Sequence, residues 1–247
     1  MMSPSHRKPR ITVLKTSKKE HTLSIHAPKK DAPPCGLWLR LGPDLALDIL
    51  TRDLKQIFFA INSTSYKKNM HTLEISGDEN DKDFKDTATL LFALARAHGI
   101  TTIFRGTAQS AHELEADGVL LDNLDDLTAA RKLFEEDGII GISCGLSNEK
   151  AAAAYDAAVD FVTFGTSKNT LPDAQILKFW TILTDHPAVI EGPVSNDYCA
   201  YYVEAGASFI DARDYIWSHS KGVMQGTVNM LHAIDLALEN KNTGKAQ

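Results

Sequence analysis

Cysteine is scarce in this chain, with three in 247 residues. None forms a Cys-x-x-Cys pair or lies near a histidine pair. Cys35, Cys144 and Cys199 therefore read as free thiols, which excludes a disulfide framework and a zinc site of familiar spacing. Long apolar runs are missing as well. No stretch approaches the roughly 20 residues that span a bilayer, so no membrane partner is expected. The amino-terminal segment is basic but has no apolar core, which is not the pattern of a secretory signal. The expected location is cytoplasmic. No linker interrupts the middle of the chain, which favours one domain over two small ones, and no long internal repeat is visible.

What is present is ordinary in amount and uneven in placement. Hydrophobic residues make up 43% and charged residues 23%, values typical of a globular domain. The first thirty residues carry eight Lys or Arg (Arg7, Lys8, Arg10, Lys15, Lys18, Lys19, Lys29, Lys30) against Glu20 alone. The rest of the chain supplies all of the acidic excess behind the net charge of −6. A basic arm on an acidic body could touch nucleic acid. It lacks interleaved aromatics that would stack on bases, so nucleic acid is not the expected partner. Residues 1–34 read as a basic amino-terminal extension, with a local hairpin about Ile11 as its only structural signal, and residues 35–247 as one domain.

The organising signal is a repeated joint. Ala116-Asp-Gly-Val119 and Glu204-Ala-Gly-Ala207 each carry a helix end into a short apolar strand, and Ala157-Ala-Val-Asp160 does so less regularly. Glycine at such a turn is expected to supply the left-handed conformation that ends a helix. Strands apolar on both faces suit a buried parallel sheet. Strands are predicted at 38–41, 72–75, 102–104, 119–121, 139–142, 161–164, 188–190 and 209–210. Helices are predicted from Pro43-Asp44 to Ile61, over 81–98, to Glu115, over 125–136, from a Ser147 cap to Ala158, over 172–185, 195–205 and 222–239. Eight strands in strict alternation with helices predict an α/β fold, a (β/α)8 TIM barrel with a basic amino-terminal extension. The active site of such a barrel lies at the carboxyl ends of its strands. The residues to inspect are those at 77–78, 105–106, 122–123, 143–144, 165–166, 191–193 and 212–214.

The segments ADGVLLDNLDDL (116–127), IIGISCGLSNEKAAAAYDAAVDFVTFG (139–165) and AVIEGPVSNDYCAYYVEAGASFI (188–210) resemble the thiamine phosphate synthase family, which includes the thiazole tautomerases. The resemblance runs in order from about residue 100 to 214 and fades toward the amino terminus. It implies the same barrel, and a transferase that joins a pyrimidine diphosphate to a thiazole phosphate with Mg²⁺ and releases pyrophosphate. Carried over residue by residue, it implies Asp125 as one Mg²⁺ carboxylate, with Asp122 and Asp126 beside it. It also implies Arg105, Asn123, Ser143, Gly165, Lys168, Gly192 and Arg213 as contacts to a small phosphorylated molecule. Family members are often oligomeric, which makes a homo-oligomer an expectation.

The chain departs from the family at several of these places. The second metal carboxylate aligns with Arg105-Gly106, which cannot hold Mg²⁺. The Gln-x-Arg-x-Lys after strand two has no match near Ile75-Ser-Gly-Asp78. The tautomerase histidine falls on Gly145, and the Thr-x-Thr-Lys clamp has only Lys168 nearby. The second glycine of the phosphate loop falls on Pro193, which has no N–H to donate. Asp125 reads more readily as a helix-start carboxylate than as a metal ligand, and Ser143 equally well as a strand-end hydroxyl bonding to backbone. Three functions stay open from sequence: an active synthase with displaced ligands, a relative that has lost synthase activity and binds another small ligand or a partner, and a different enzyme on the same scaffold using Arg105, Asp125, Glu191 and Arg213.

Overall fold

A computed structural model describes residues 35–44, 46–63, 70–135, 138–165 and 171–243. The basic extension over 1–34, its expected hairpin, and Lys168 lie outside the described residues. In chain order the elements are β1 (Gly36–Leu41), α1 (Leu47–Asn62), β2 (Thr72–Ile75), α2 (Lys82–Ala97), β3 (Thr101–Arg105) and α3 (Ala108–Glu113). They continue with β4 (Gly118–Leu121), α4 (Leu127–Phe134), β5 (Ile139–Ser143), α5 (Asn148–Asp156), β6 (Phe161–Phe164) and α6 (Gln175–Leu183). The last are β7 (Ala188–Ile190), α7 (Asn196–Ala205), β8 (Phe209–Asp211), α8 (Arg213–Trp217) and α9 (Val223–Thr243). Each strand pairs in parallel with the next, and β8 pairs with β1, so the sheet closes into the expected barrel.

Apolar side chains fall into two clusters that follow from the two-residue period of a strand. Leu37, Leu39, Leu73, Ile75, Val119, Leu121, Ile140, Ile142, Val162 and Phe164 point outward and bury the inner faces of the helices. Helix α1 contributes Leu54, Ile57, Phe58 and Ile61 at helical spacing. The alternate residues Trp38, Ile103, Leu120, Phe161, Val189 and Phe209 fill the barrel itself. Their rings pack with Trp38 centred 5.3 Å from Phe161 and 5.6 Å from Phe209. Among the described residues, no helix is long and apolar enough to cross a membrane.

Several local expectations hold and several are corrected. Ser147 caps α5 by accepting from the Lys150 N–H at 3.1 Å, and Gly206 ends α7 at φ 103°. The first joint works differently from its reading in sequence. Gly118 is not its left-handed residue; Glu115 is, at φ 54°. Gly118 is instead the first residue of β4, where any side chain would overlap the backbone of Ile139 on the neighbouring strand. In the third joint the left-handed residue is Ala158, at φ 57°. Helix α1 begins at Leu47 rather than at Pro43-Asp44, and α4 at Leu127 rather than at Asp125. Helix α8 was not anticipated. Five residues are too few to show a helical period, and α8 forms where the Asp211 side chain accepts the Arg213 N–H at 3.0 Å.

Candidate functional site

Alternation along the strands sets the site directly above the aromatic filling of the barrel. Arg40, Glu74, Arg105 and Asp211 occur two residues after Trp38, Thr72, Ile103 and Phe209, at the carboxyl ends of β1, β2, β3 and β8. Glu191 follows β7 two residues after Val189. All five therefore share the inner face of the mouth.

They form one ionic network. Arg105 Nε lies 2.9 Å from Glu74 Oε1, and its terminal nitrogen reaches Glu191. Arg40 pairs with Asp211, lies 3.5 Å from Glu191 Oε2, and approaches Glu74 at 4.0 Å. The Trp38 indole donates to Glu74 Oε2 at 2.6 Å, tying the network to the aromatic floor. The three carboxylate side chains are at most 4% exposed, Arg40 is 11% exposed and Arg105 21%. Carboxylates buried this deeply must be paired to be tolerated.

The network's electrostatics follow from that burial. Desolvation pushes the Asp211 carboxyl up to about 6, against the opposing pull of Arg40. Desolvation works to lower Arg40, but Asp211, Glu74 and Glu191 together hold it above its usual value. Arg105 is raised in the same way, with burial overcome by Glu74 and Glu191. Both guanidinium groups are thus fixed as cations, and their charge is already engaged by the chain's own carboxylates.

The remaining wall of the mouth is uncharged at depth. Ser143 is half-buried at the end of β5 and stands in register with Thr163 on β6. Thr163 is fully buried, and its Oγ1 has no hydrogen-bond partner. Gly165 follows on the same face, and any side chain there would overlap Glu191. Cys144 is buried, and desolvation pushes its thiol up to about 12, so it is no nucleophile at neutral pH. Outside this wall, Asp122, Asn123, Asp125 and Asp126 are exposed. The Asp125 N–H donates to Asn123 Oδ1 at 3.0 Å, and the Lys150 ammonium donates to the Asp122 carbonyl.

Of the residues expected from sequence, the structure brings Arg105 into the network and sets Gly165 against Glu191. Ser143 lines the mouth. Asn123 and Asp125 lie exposed in the loop after β4. Arg213 turns to Asp214, 3.4 Å away, with 37% of its side chain exposed. Gly192 accepts the Val194 N–H at 2.8 Å in a tight turn. The sequence reading missed Arg40, Glu74 and Asp211. The signal was available: a charged residue inside a strand otherwise apolar on both faces has to point into the barrel and find a partner.

Two family sites can be tested against this geometry. Barrels of this class hold phosphate at the loops after β7 and β8 and at the start of a short extra helix. Here the α8 start is occupied by the Asp211 carboxylate, and Pro193 stands in the β7 loop without an N–H. For Mg²⁺ the residues do not fit. Asp125 is exposed, the strand-three position is Arg105, and among the described residues no group of three or more His, Cys, Asp or Glu is placed to hold a metal.

Comparison with known proteins adds the family. A family model described as thiamine monophosphate synthase matches residues 58–210, more than half of the chain. A thiamine-phosphate synthase of Erythrobacter litoralis is 29% identical over 138 residues, covering 52% of this chain and 65% of that protein. One from Xanthomonas campestris pv. campestris is 34% identical over 130 residues, covering 50% and 63%. The chain thus spans just under two thirds of the length of these curated relatives. Among solved structures, a thiamine phosphate pyrophosphorylase from Pyrococcus furiosus aligns with a TM-score of 0.63 at 16% identity, covering 83% of this chain and 96% of that one. At that identity the likeness is one of fold.

Proposed function

We infer that this chain, which belongs to the thiamine monophosphate synthase family, has kept the family barrel without the family transfer reaction, and that its mouth binds a different small polar molecule. The synthase reaction needs free cations for the departing pyrophosphate and free N–H donors for the thiazole phosphate. One observation carries the reading. Among the described residues, the cations inside the mouth are Arg40, held by Asp211, Glu191 and Glu74, and Arg105, held by Glu74 and Glu191. A phosphate or pyrophosphate entering there would have to displace buried carboxylates and would be repelled by them. Asp211 at the start of α8 adds the same repulsion where phosphate would be expected to sit. The exposed Asp125 and Arg213 do not compensate. Exposed carboxylates on the rim that do not converge on one point among the described residues are weak Mg²⁺ ligands, and Arg213 already faces Asp214.

The test is direct. Full-length protein is incubated with the pyrimidine diphosphate, the thiazole phosphate and Mg²⁺, and thiamine phosphate and pyrophosphate are assayed. The expected result is no product, and no thermal shift from either precursor. Turnover that disappears in Asp125→Ala would overturn the reading and establish an active synthase.

A further inference from the structure

Among the described residues, the ionic network does not balance. Three carboxylates face two guanidinium groups, and all five are largely withdrawn from water. A buried surplus of one negative charge is costly and draws in one positive charge. The six carboxylate oxygens are not equally served. Glu74 accepts from Arg105 and Trp38, and Asp211 from Arg40 and the Arg213 N–H. Glu191 Oε1 accepts from Arg105, while Oε2 has only the 3.5 Å approach of Arg40. The unmet acceptor capacity is at Glu191 Oε2.

A second, independent observation points to the same place. Thr163 Oγ1 is fully buried with no hydrogen-bond partner, although such a group costs free energy unless something bonds it. It faces inward one step below Gly165, and Gly165 is the residue whose missing side chain leaves room for Glu191. Ser143, beside Thr163 in register, makes no side-chain hydrogen bond among the described residues. Ser143, Thr163 and Glu191 stand toward the carboxyl ends of three neighbouring strands, β5, β6 and β7, and each carries an oxygen that can accept a hydrogen bond. A primary ammonium carries three donors, no acceptor and one positive charge. A divalent ion is disfavoured, because the surplus is a single charge and two guanidinium groups share the same carboxylates.

We propose that the barrel mouth binds a small organic cation through a primary ammonium held by Glu191, Thr163 and Ser143. The proposal rests on the reading that the mouth is not a phosphate-transfer site, and names the ligand class it takes instead. The same surplus charge is met by a proton on Asp211 in mild acid. Arg40, Glu74, Glu191 and the Arg213 N–H are the groups that face that carboxyl. Ammonium binding therefore weakens as pH falls through about 6.

The probe is ethanolammonium, titrated calorimetrically into full-length protein near neutral pH and followed in parallel by thermal shift. Tetramethylammonium, which has no N–H, and sodium chloride at equal ionic strength are the controls. Expected are saturable binding of ethanolammonium only, a loss of affinity in acid, and a weakening of about ten- to hundredfold in Thr163→Val, the worth of one hydrogen bond to a charged group. Thr163→Val swaps an unbonded hydroxyl for a methyl of the same shape. It should fold and melt no lower than the parent, which separates lost binding from lost structure. No binding at millimolar ethanolammonium, or an equal effect from tetramethylammonium or salt, overturns the proposal. If the synthase assay also stays silent, the preceding reading survives that result. Product formation sinks that reading whether or not ammonium binds.

Discussion

Gly165 and Glu191 are packed so closely that a Cβ on residue 165 would overlap both the Cβ and the carbonyl of Glu191. The glycine that the family resemblance marked as a ligand contact thus also positions the carboxylate that Arg105 and Arg40 share. Gly165→Ala should destabilise the chain by about 1–3 kcal/mol, the cost of overpacking a closed site. Glu191→Gly added to it should not restore stability, because the backbone carbonyl is in the way as well. Urea denaturation of the single and double variants measures both, and a neutral Gly165→Ala would show that the contact can yield.

Arg105 separates two buried carboxylates on opposite sides of the mouth. Arg105→Met removes the cation and leaves Glu74 and Glu191 short of charge, at an expected cost of about 3–5 kcal/mol. Adding Glu74→Gln and Glu191→Gln to Arg105→Met should recover much of that loss, since no uncompensated charge then remains. Strictly additive losses across the three sites would show that they do not act as a network.

The barrel was legible in the sequence because its signals are periodic. The strands at 72–75, 161–164 and 188–190 match the structure residue for residue, as apolar runs ending at turn residues should. The joints were located correctly but explained wrongly in part. Glu115 and Ala158 take the left-handed conformation that composition assigns to glycine, and tertiary packing overrides that preference. At the site, Arg105 and Glu191 were visible as strand-end residues. Arg40, Glu74 and Asp211 were not, because each is a partner only through strands far away in sequence. A charge inside an apolar strand marks each of them locally as a residue in need of a partner, but only register across the closed sheet says which partner it meets.

Asp211 gives the network a pH dependence of definite sign. Its folded value of about 6 lies above the 3.8 of an ordinary aspartate. A raised value means the folded state holds the proton more tightly, so this group's contribution to stability is fully present below about pH 4 and is lost as pH rises through about 6. The full effect is roughly 3 kcal/mol for a fully buried group. Asp211→Asn leaves two carboxylates against two guanidinium groups and keeps an acceptor for the Arg213 N–H. Its stability should lack the parent's decline across that window in chemical denaturation at stepped pH. An unchanged slope would assign the proton elsewhere.

Glu79 acts in the opposite direction at the edge of the mouth. Its carboxylate accepts from the Thr107 N–H at 2.8 Å and from the Ser110 hydroxyl at 2.7 Å, fastening the loop after β2 to the start of α3. Burial would raise its pKa, but the bonds from Thr107 and Ser110 outweigh it and hold the group below the ordinary glutamate value. This contribution is present above that ordinary value and is lost as pH falls through the depressed one. Glu79→Ala should cost about 1 kcal/mol at neutral pH, the worth of a lost cap, and less in acid. An equal cost at both pH values would mean that the side chain matters for packing alone.

Asp125 and Arg213 are the two residues whose family roles the geometry supports least. Asp125 is exposed, and among the described residues the Arg213 side chain pairs with Asp214 alone. Substitutions away from packed or networked groups usually change stability by less than about 0.5 kcal/mol. Asp125→Ala and Arg213→Ala should both stay within that range. A metal bound only by the folded state would raise the melting temperature in proportion to the logarithm of its concentration above Kd. Millimolar Mg²⁺ should therefore leave the melting temperature of the parent unchanged, and EDTA should not lower it. A Mg²⁺-dependent rise that vanishes in Asp125→Ala would place a metal at the loop after β4 and reopen the transfer chemistry. A rise that persists in that variant would point to binding elsewhere on the acidic surface.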